Sequence, residues 1–521
     1  MSKKVIVTNF AVLKNKYGSA GVTRIKSALQ AVVAADAARG LATSVVDLGN
    51  AAAMRKVGVK EVPKPSSPKQ NKDAVDAIYH ASAPDYLVLL GAPDVIPHTD
   101  LLNPMYGSDD PDRFAPGDLP YACEAPYSRK AQDFIGPTRV VGRIPDVNGA
   151  RDPAYLLGLL EVAAKWQSRP ASDYQSHLGI SAAVWNGSTT LSLTRIFGPT
   201  AKVNLAPPKG PRWTKADLGR LSHFINCHGA EVDPHYYGQR GNDYPVSHDA
   251  AWVDGKIKEG TVASVECCYG AQLYNPAPVP NRQIGISNTY MANRAYGFFG
   301  STTIAYGPAD GNGSADLLCQ YFLQRVLGGA SLGRAALEAR QQFAQGAASL
   351  DPVDTKTLAQ MNLLGDPSIH PVAKTTPHVV VSAKAMRGMT QETANAAAAR
   401  ADRRRQLFTR GLSIVQTQSV AHLDLKAKPG AAAIKTLLQL AKELKRGKAA
   451  ILSYRIVGPA LPKTPRMKSA LGVAAMLPQP NHFHVITGKH AKGLSKIPRI
   501  TAIVAKEEGG KIVSYRRLMS R

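Results

Sequence analysis

Apolar runs that stop abruptly at glycine or at a reactive side chain recur along the first 370 positions, and they constrain the fold more than any other feature. Residues 86–91 (YLVLLG) are continuously apolar, with Pro84 before them and Gly91 at their end. A strand of that kind has no polar face to turn to water, so it must be covered on both sides, as strands of a parallel sheet are. Further runs predict strands at 4–10, 43–48, 138–143, 177–185, 223–228, 261–268 and 297–306. Helical patterns fall between or after them at 21–39, 72–81, 152–167, 314–327 and 331–345, and 64–72 (KPSSPKQNK) reads as a polar loop. Such alternation predicts an α/β fold with helices on both faces of its sheets.

At 521 residues the chain is too long for one core and is expected to form about three domains. Residues 371–521 carry 28 Lys and Arg against six Asp and Glu, which is 22 of the net +26 charges. That shift marks the clearest boundary. The expected units are an N-terminal α/β subdomain at 1–150, a second α/β subdomain at 151–372, and a basic α+β domain at 373–521. In the last, helices are expected at 390–408 and 431–446 and strands at 449–457, 482–486, 499–505 and 511–515, with a hairpin turn at 507–510. Its charge would suit an anionic partner, either nucleic acid or an acidic protein, through salt-dependent contacts. Few aromatic residues interleave the basic ones, so base stacking has little support. A merely solvated basic face carries equal weight.

No apolar stretch approaches the roughly 18 residues of a membrane span. The opening MSKKVIVTNF reads as a first strand rather than a signal peptide. The five cysteines (Cys123, Cys227, Cys267, Cys268, Cys319) are an odd number without CxxC spacing, which predicts free thiols and a cytoplasmic setting. No cofactor is expected, and PADGNGSAD at 308–316 lacks the Gly-Lys-Ser/Thr of a phosphate loop. No metal is expected either: neighbouring cysteines on opposite strand faces would make poor joint ligands for zinc with Cys227 and His228. Cys123 and Cys319 look like packing residues.

Two segments carry the chemistry: Phe224-Ile225-Asn226-Cys227-His228-Gly229 and Ser264-Val265-Glu266-Cys267-Cys268-Tyr269-Gly270. In an open α/β sheet, ligands gather outside the carboxyl ends of strands, which is where His228 and Cys268 fall. Strand alternation puts Cys267 on an apolar face with Ala263 and Val265, and Cys268 with Glu266 on the opposite face. An imidazole beside a thiol can take its proton during attack on a carbonyl. The Gly229 N–H can join the Cys268 N–H as an oxyanion hole. Glu266 would line the pocket beside the reacting bond and favour a basic residue there. Glu231 and Asp233 are candidate substrate-binding or orienting residues, while Asn186, Asn226 or an upstream acid are candidates to orient His228.

These segments resemble the caspase–legumain–gingipain clan of cysteine peptidases, and most closely its gingipain-type family. His228-Gly229-Ala230-Glu231 is similar to that family's HGSE segment, and Asn362-Leu363-Leu364-Gly365-Asp366-Pro367-Ser368 to its NLLGDPS segment. YLVLLGAPDVIP (86–97), VGRIPD (141–146) and the stretch from Gly300-Ser301-Thr302 to Tyr306-Gly307 resemble further strand ends, so the likeness runs in order over about residues 1–372. It implies a two-subdomain catalytic unit, a Cys-His dyad and cleavage of protein or peptide substrates after Arg or Lys. Gingipains and legumains read C-x-x-G, which would make Cys267 the nucleophile, whereas the caspase pattern Q-A-C-x-G aligns with Cys268. Strand alternation favours Cys268. Self-processing or restraint by the basic domain is a further expectation, as is the alternative of an inactive scaffold that binds an anionic partner through 373–521.

Overall fold

The computed structural model describes residues 2–107, 109–308, 311–373, 389–444, 450–459, 481–489 and 497–521. In chain order the strands are β1 (Ser2–Thr8), β2 (Leu41–Asp47), β3 (Tyr86–Leu90), β4 (Thr99–Leu102), β5 (Phe114–Gly117), β6 (Val141–Ile144) and β7 (His177–Ala182). There follow β8 (Asn204–Ala206), β9 (Ser222–Asn226), β10 (His228–Gly229), β11 (His235–Tyr237), β12 (Val246–Asp249), β13 (Val262–Val265), β14 (Gly297–Ser301), β15 (Tyr306–Pro308) and β16 (Met361–Leu364). The C-terminal strands are β17 (Val420–Leu423), β18 (Ile451–Val457), β19 (His482–Lys489), β20 (Ile500–Glu508) and β21 (Lys511–Ser520).

Ten of these form one sheet in the order β2-β1-β3-β6-β16-β14-β13-β9-β7-β8. All its pairings are parallel except β14 with β16. The alternation of side chains divides the interior into two cores. Ile225, Ala263, Val265, Phe298 and Leu364 face one, while Phe224, Val262, Phe299 and Leu363 face the other with the helices Ser314–Leu327 and Leu332–Gly346. Strands buried on both faces are why the runs read as continuously apolar.

The NLLGDPS run becomes β16, through which the strands of 1–150 join those of 151–372 in a continuous sheet, with Leu364 opposite Arg143. Just past it, Asp366 meets the buried Lys4 ammonium at 2.7 Å, and Asp36 meets the same group at 2.5 Å. Arg143 is fully buried. It binds Asp118 through Nε (2.8 Å) and Nη2 (2.6 Å), and donates from Nη1 to the carbonyls of Gly91 and Ile96.

The first helix begins earlier than its Ala-rich pattern predicts. It spans Phe10–Ala38 because the Asn9 side chain caps Val12 N–H, and Gly18, at φ 68°, interrupts the helical backbone. The basic C-terminal region folds into an antiparallel sheet in the order β15-β21-β20-β19-β18-β17. The helix Ala431–Glu443 lays Leu437, Leu440 and Ala441 on Ile486, Ile503 and Ala505. A second helix, Met389–Thr417, precedes this sheet. β20 and β21 turn at Gly509-Gly510, both with positive φ. β21 runs five residues beyond its expected end at 515. The charged pair that obscured its pattern is accommodated by partners, Arg516 by Asp351 and Asp354, and Arg517 by Glu443. The basic turn at 462–468 lies outside the described residues, as does all but Lys489 of the one at 489–496. Among the described residues no helix is long and apolar enough to cross a membrane.

Candidate functional site

β9 and β13 are parallel neighbours with Ile225 opposite Val265, so the two chemically distinctive segments end side by side. Beyond the paired strands, Glu266 N–H still donates to Ile225 O at 2.9 Å. The chain then turns sharply: Tyr269 takes φ +54°, its N–H donates to Thr303 O (3.0 Å) and its hydroxyl to Asp112 Oδ1 (2.7 Å). A left-handed tyrosine costs energy that its fixed surroundings must supply. Gly229 runs so close to this turn that a Cβ there would lie 1.8 Å from Cys268 O. Only glycine fits.

That approach aims two backbone donors at one point. Cys268 N–H lies 3.0 Å, and Gly229 N–H 3.4 Å, from the carbonyl oxygen of Arg521. Arg521 N–H in turn donates to Ala305 O at 2.9 Å. Cys268 Sγ rests 3.6 Å from the same Ala305 oxygen, and burial pushes its thiol up to about 12. Cys267 points to the other side of the strand, into the core with Cys227, and burial raises its thiol as well.

His228 is held by a residue that the sequence did not single out. Its Nε2 meets Gln239 Oε1 at 2.8 Å, and Gln239 Nε2 donates to Gly241 O at 2.9 Å, which fixes the orientation of the amide. An amide oxygen only accepts, so Nε2 carries the imidazole proton and Nδ1 keeps its lone pair. Nδ1 is buried and has no hydrogen-bond partner among the described residues. Burial lowers the His228 pKa to about 3, helped by the positive charges of Arg521 and Arg499 and only partly offset by Gln239, so the ring is neutral. His228 and Cys268 thus occupy adjacent strand ends without a hydrogen bond between them. Trp185 packs 4.4 Å from the imidazole, centroid to centroid. Asn186 and Asn226 do not orient His228: Asn186 accepts from Thr190 and Asn226 donates to Thr189.

The pocket beside these groups is acidic and filled. The Arg521 guanidinium lies 4.3 Å from the Trp185 ring centroid, and its Nη2 donates to Asp316 Oδ1 (2.9 Å), Asp316 Oδ2 (2.7 Å) and Pro308 O (3.0 Å). Gly307 makes room, since a Cβ there would come within 2.3 Å of the guanidinium. Ser188 Oγ donates to Asp316 Oδ2 at 2.8 Å. Glu266 is buried behind Asp316, and its pKa is raised well above the carboxylate range by burial first and then by Asp316. Glu266 therefore favours its protonated form, and its carboxyl oxygens find no hydrogen-bond partner among the described residues.

Glu266, expected to line the pocket, is fully buried, and the carboxylate that bonds the guanidinium is Asp316. The sequence placed Asp316 only in a loop and helix cap and Gly307 only at the end of a family-like strand, and neither Trp185 nor Gln239 was singled out as a site residue. Asp233 serves its own turn, accepting from His235 and the Tyr237 hydroxyl. Glu231 is exposed and faces a cleft of about 640 Å³ shared with Asp112, Tyr269 and Gln272.

No family model and no curated protein matches this chain. A solved structure described as "Structure of Protease" is similar at a TM-score of 0.47 and 11% identity, covering 99% of this chain and 97% of that one. The Saccharomyces cerevisiae separase–securin complex gives a TM-score of 0.26 at 11% identity, over 45% of this chain and 14% of that one. Likenesses this loose carry no argument about activity, which has to come from the residues at the ends of β10 and β13.

Proposed function

We propose that the chain is a cysteine endopeptidase that cleaves after basic residues, arginine above all, with Cys268 as nucleophile and His228 as its base. One observation carries this reading: the N–H groups of Gly229 and Cys268 converge on a carbonyl oxygen whose own side chain is a guanidinium seated on Asp316. A peptide substrate bound the same way would present its scissile carbonyl to an oxyanion hole and its P1 arginine to the acid pair.

In the proposed reaction, Cys268 Sγ attacks the carbonyl carbon as its proton passes to His228 Nδ1. The oxygen becomes an oxyanion bonded by the two N–H groups, each such donor being worth about 10²–10³ in rate. The imidazolium then protonates the leaving amine, the C–N bond breaks, and a thioester remains. A water gives a proton to Nδ1 and attacks that thioester, releasing the acid and restoring the thiol. Burial keeps both partners neutral at rest, so the thiol is activated during attack rather than stored as thiolate. Both thiols are buried, and what supports Cys268 over Cys267 is that its N–H forms the hole and its Sγ lies beside Ala305 O, which also accepts from Arg521 N–H. The bound guanidinium reaches Asp316 and Pro308 O through Nη2 and lies over the Trp185 ring, a stacking that a lysine ammonium does not reproduce, so Arg is expected to exceed Lys at P1.

The test is hydrolysis of fluorogenic peptides with Arg, Lys, Asp or Asn at P1, measured in the Arg521→Ala background, which opens the pocket. Turnover of Arg peptides that is abolished by Cys268→Ala and by His228→Ala, and kept in Cys267→Ala, is expected. Loss in Cys267→Ala alone would overturn the assignment of the nucleophile, and absence of any turnover would overturn the reading.

A second reading, a non-catalytic scaffold for an anionic partner, has one observation in its favour. Arg400, Arg403 and Arg404 of the basic region line a cleft with Arg39 and Arg334, next to the amino ends of β1 and β3. Salt-sensitive binding of nucleic acid by the whole chain, without hydrolysis of any peptide, would favour it.

A further inference from the structure

The residues that fill the pocket belong to the chain itself, and they lie there as a substrate strand would. β21 adds to β15 in antiparallel register, with Ser520 opposite Tyr306, Met519 opposite Gly307 and Leu518 opposite Pro308. Main-chain pairing to an exposed strand edge is a general way for a site to hold an extended peptide. Four further contacts locate Arg521. Its N–H is bonded to Ala305, its carbonyl oxygen lies between the Gly229 and Cys268 donors, its guanidinium is on Asp316, and that guanidinium lies against Gly307. Leu518, Ser520 and Arg521 are buried. The receiving strand is braced independently: the Tyr306 hydroxyl donates to Asp110 Oδ2 at 2.9 Å, and Lys356 meets the same oxygen at 2.6 Å.

We propose that residues 518–521 are a built-in occupant of the substrate cleft, with Arg521 in the P1 position, and that the chain stays masked until this strand end is displaced. The masking rests on the peptidase reading above, whereas the occupancy rests on the contacts alone. Because the occupant is tethered, a competing peptide must overcome an effective concentration that reaches about millimolar for short links. Residues 511–517 remain paired with β20 when 518–521 leave, so release need not dismantle the C-terminal sheet. The basic region thereby gains a function: it delivers an arginine to the acid pair.

Two measurements on the full chain separate occupancy from activity. A fluorescent peptide ending Leu-Met-Ser-Arg is titrated by anisotropy against the intact chain, the Arg521→Ala chain, and a chain lacking 518–521. The Arg521→Ala chain keeps β21 whole should the deletion fail to fold, as circular dichroism would report. Binding at least tenfold tighter to both altered chains, and not shown by a peptide ending Leu-Met-Ser-Ala, is expected. Equal binding to all three, or to none, would overturn the occupancy. Hydrolysis of an Arg-P1 peptide is then compared, with at least a tenfold higher rate expected for Arg521→Ala. Equal rates in the intact and Arg521→Ala chains would overturn the masking and leave the peptidase standing. Tighter peptide binding with no hydrolysis in any form would keep the occupancy and overturn the peptidase.

Discussion

Asp316 and Glu266 take unequal roles towards the guanidinium. Asp316 bonds the guanidinium directly, while Glu266 stays protonated behind it. Asp316→Asn should therefore lower kcat/KM for Arg-P1 peptides by about 100-fold or more, since a buried guanidinium loses its partner. Glu266→Gln replaces a protonated acid by an amide of similar shape, and less than about a tenfold loss is expected. Steady-state kinetics of the two variants in the Arg521→Ala background checks the order; a larger loss in Glu266→Gln would contradict it. The strand-end positions of His228, Gly229, Glu266 and Cys268 were legible in the sequence because each is marked by apolar residues before it and glycine at or after it. Asp316 was not, because it belongs to a helix 50 positions beyond Glu266 and only the crossover of the chain brings it in front of that residue. Gln239 lies in a loop with no local pattern, so the orienting partner of His228 was open to any nearby amide or acid.

At the scale of elements, alternating apolar runs and helical patterns located every strand of the large sheet but two, the three-residue edge strand β8 and the central strand β16. Boundaries moved where a cap or a side-chain partner decided them, as at Asn9 and along β21. The strand order was not legible, because pairing is set by crossovers rather than by composition. β16 is the instructive case: NLLGDPS read as a family likeness, and physically it joins β6 to β14. Its neighbour Arg143 supports that junction through Asp118, whose carboxyl is held below its ordinary range because Arg143 and His98 outweigh the effect of burial. Asp118→Ala would leave a buried guanidinium without its counter-charge, which costs about 3–5 kcal/mol. A urea midpoint lowered to match is expected, and an unchanged midpoint would show that the pair is not needed to hold the junction.

Across the whole molecule, buried histidines couple stability to pH. Burial lowers His223, His228 and His248 to about 3, and His98 to about 4 despite the opposing pull of Asp118. An unfolded histidine binds its proton near pH 6.5, so between about 6.5 and these values the unfolded state carries more protons than the folded one. Stability is then present above pH 6.5 and is lost as pH falls, by up to about 1.4 kcal/mol per unit for each histidine. Thermal unfolding followed from pH 7 to pH 5 should show a falling Tm, and a flat profile would contradict the burial of these rings. Composition made the basic C-terminal region legible as a separate unit. It gave no sign that residues 518–521 reach the ends of β10 and β13, because the pairing of β21 with β15 joins strands more than 200 residues apart. The most direct measurement is alkylation of the Arg521→Ala chain by an arginyl chloromethyl ketone, followed by peptide mapping. Modification at Cys268, prevented by an excess of a peptide ending Leu-Met-Ser-Arg, is the result that this account predicts; modification at Cys267 instead, or no modification at all, would contradict it.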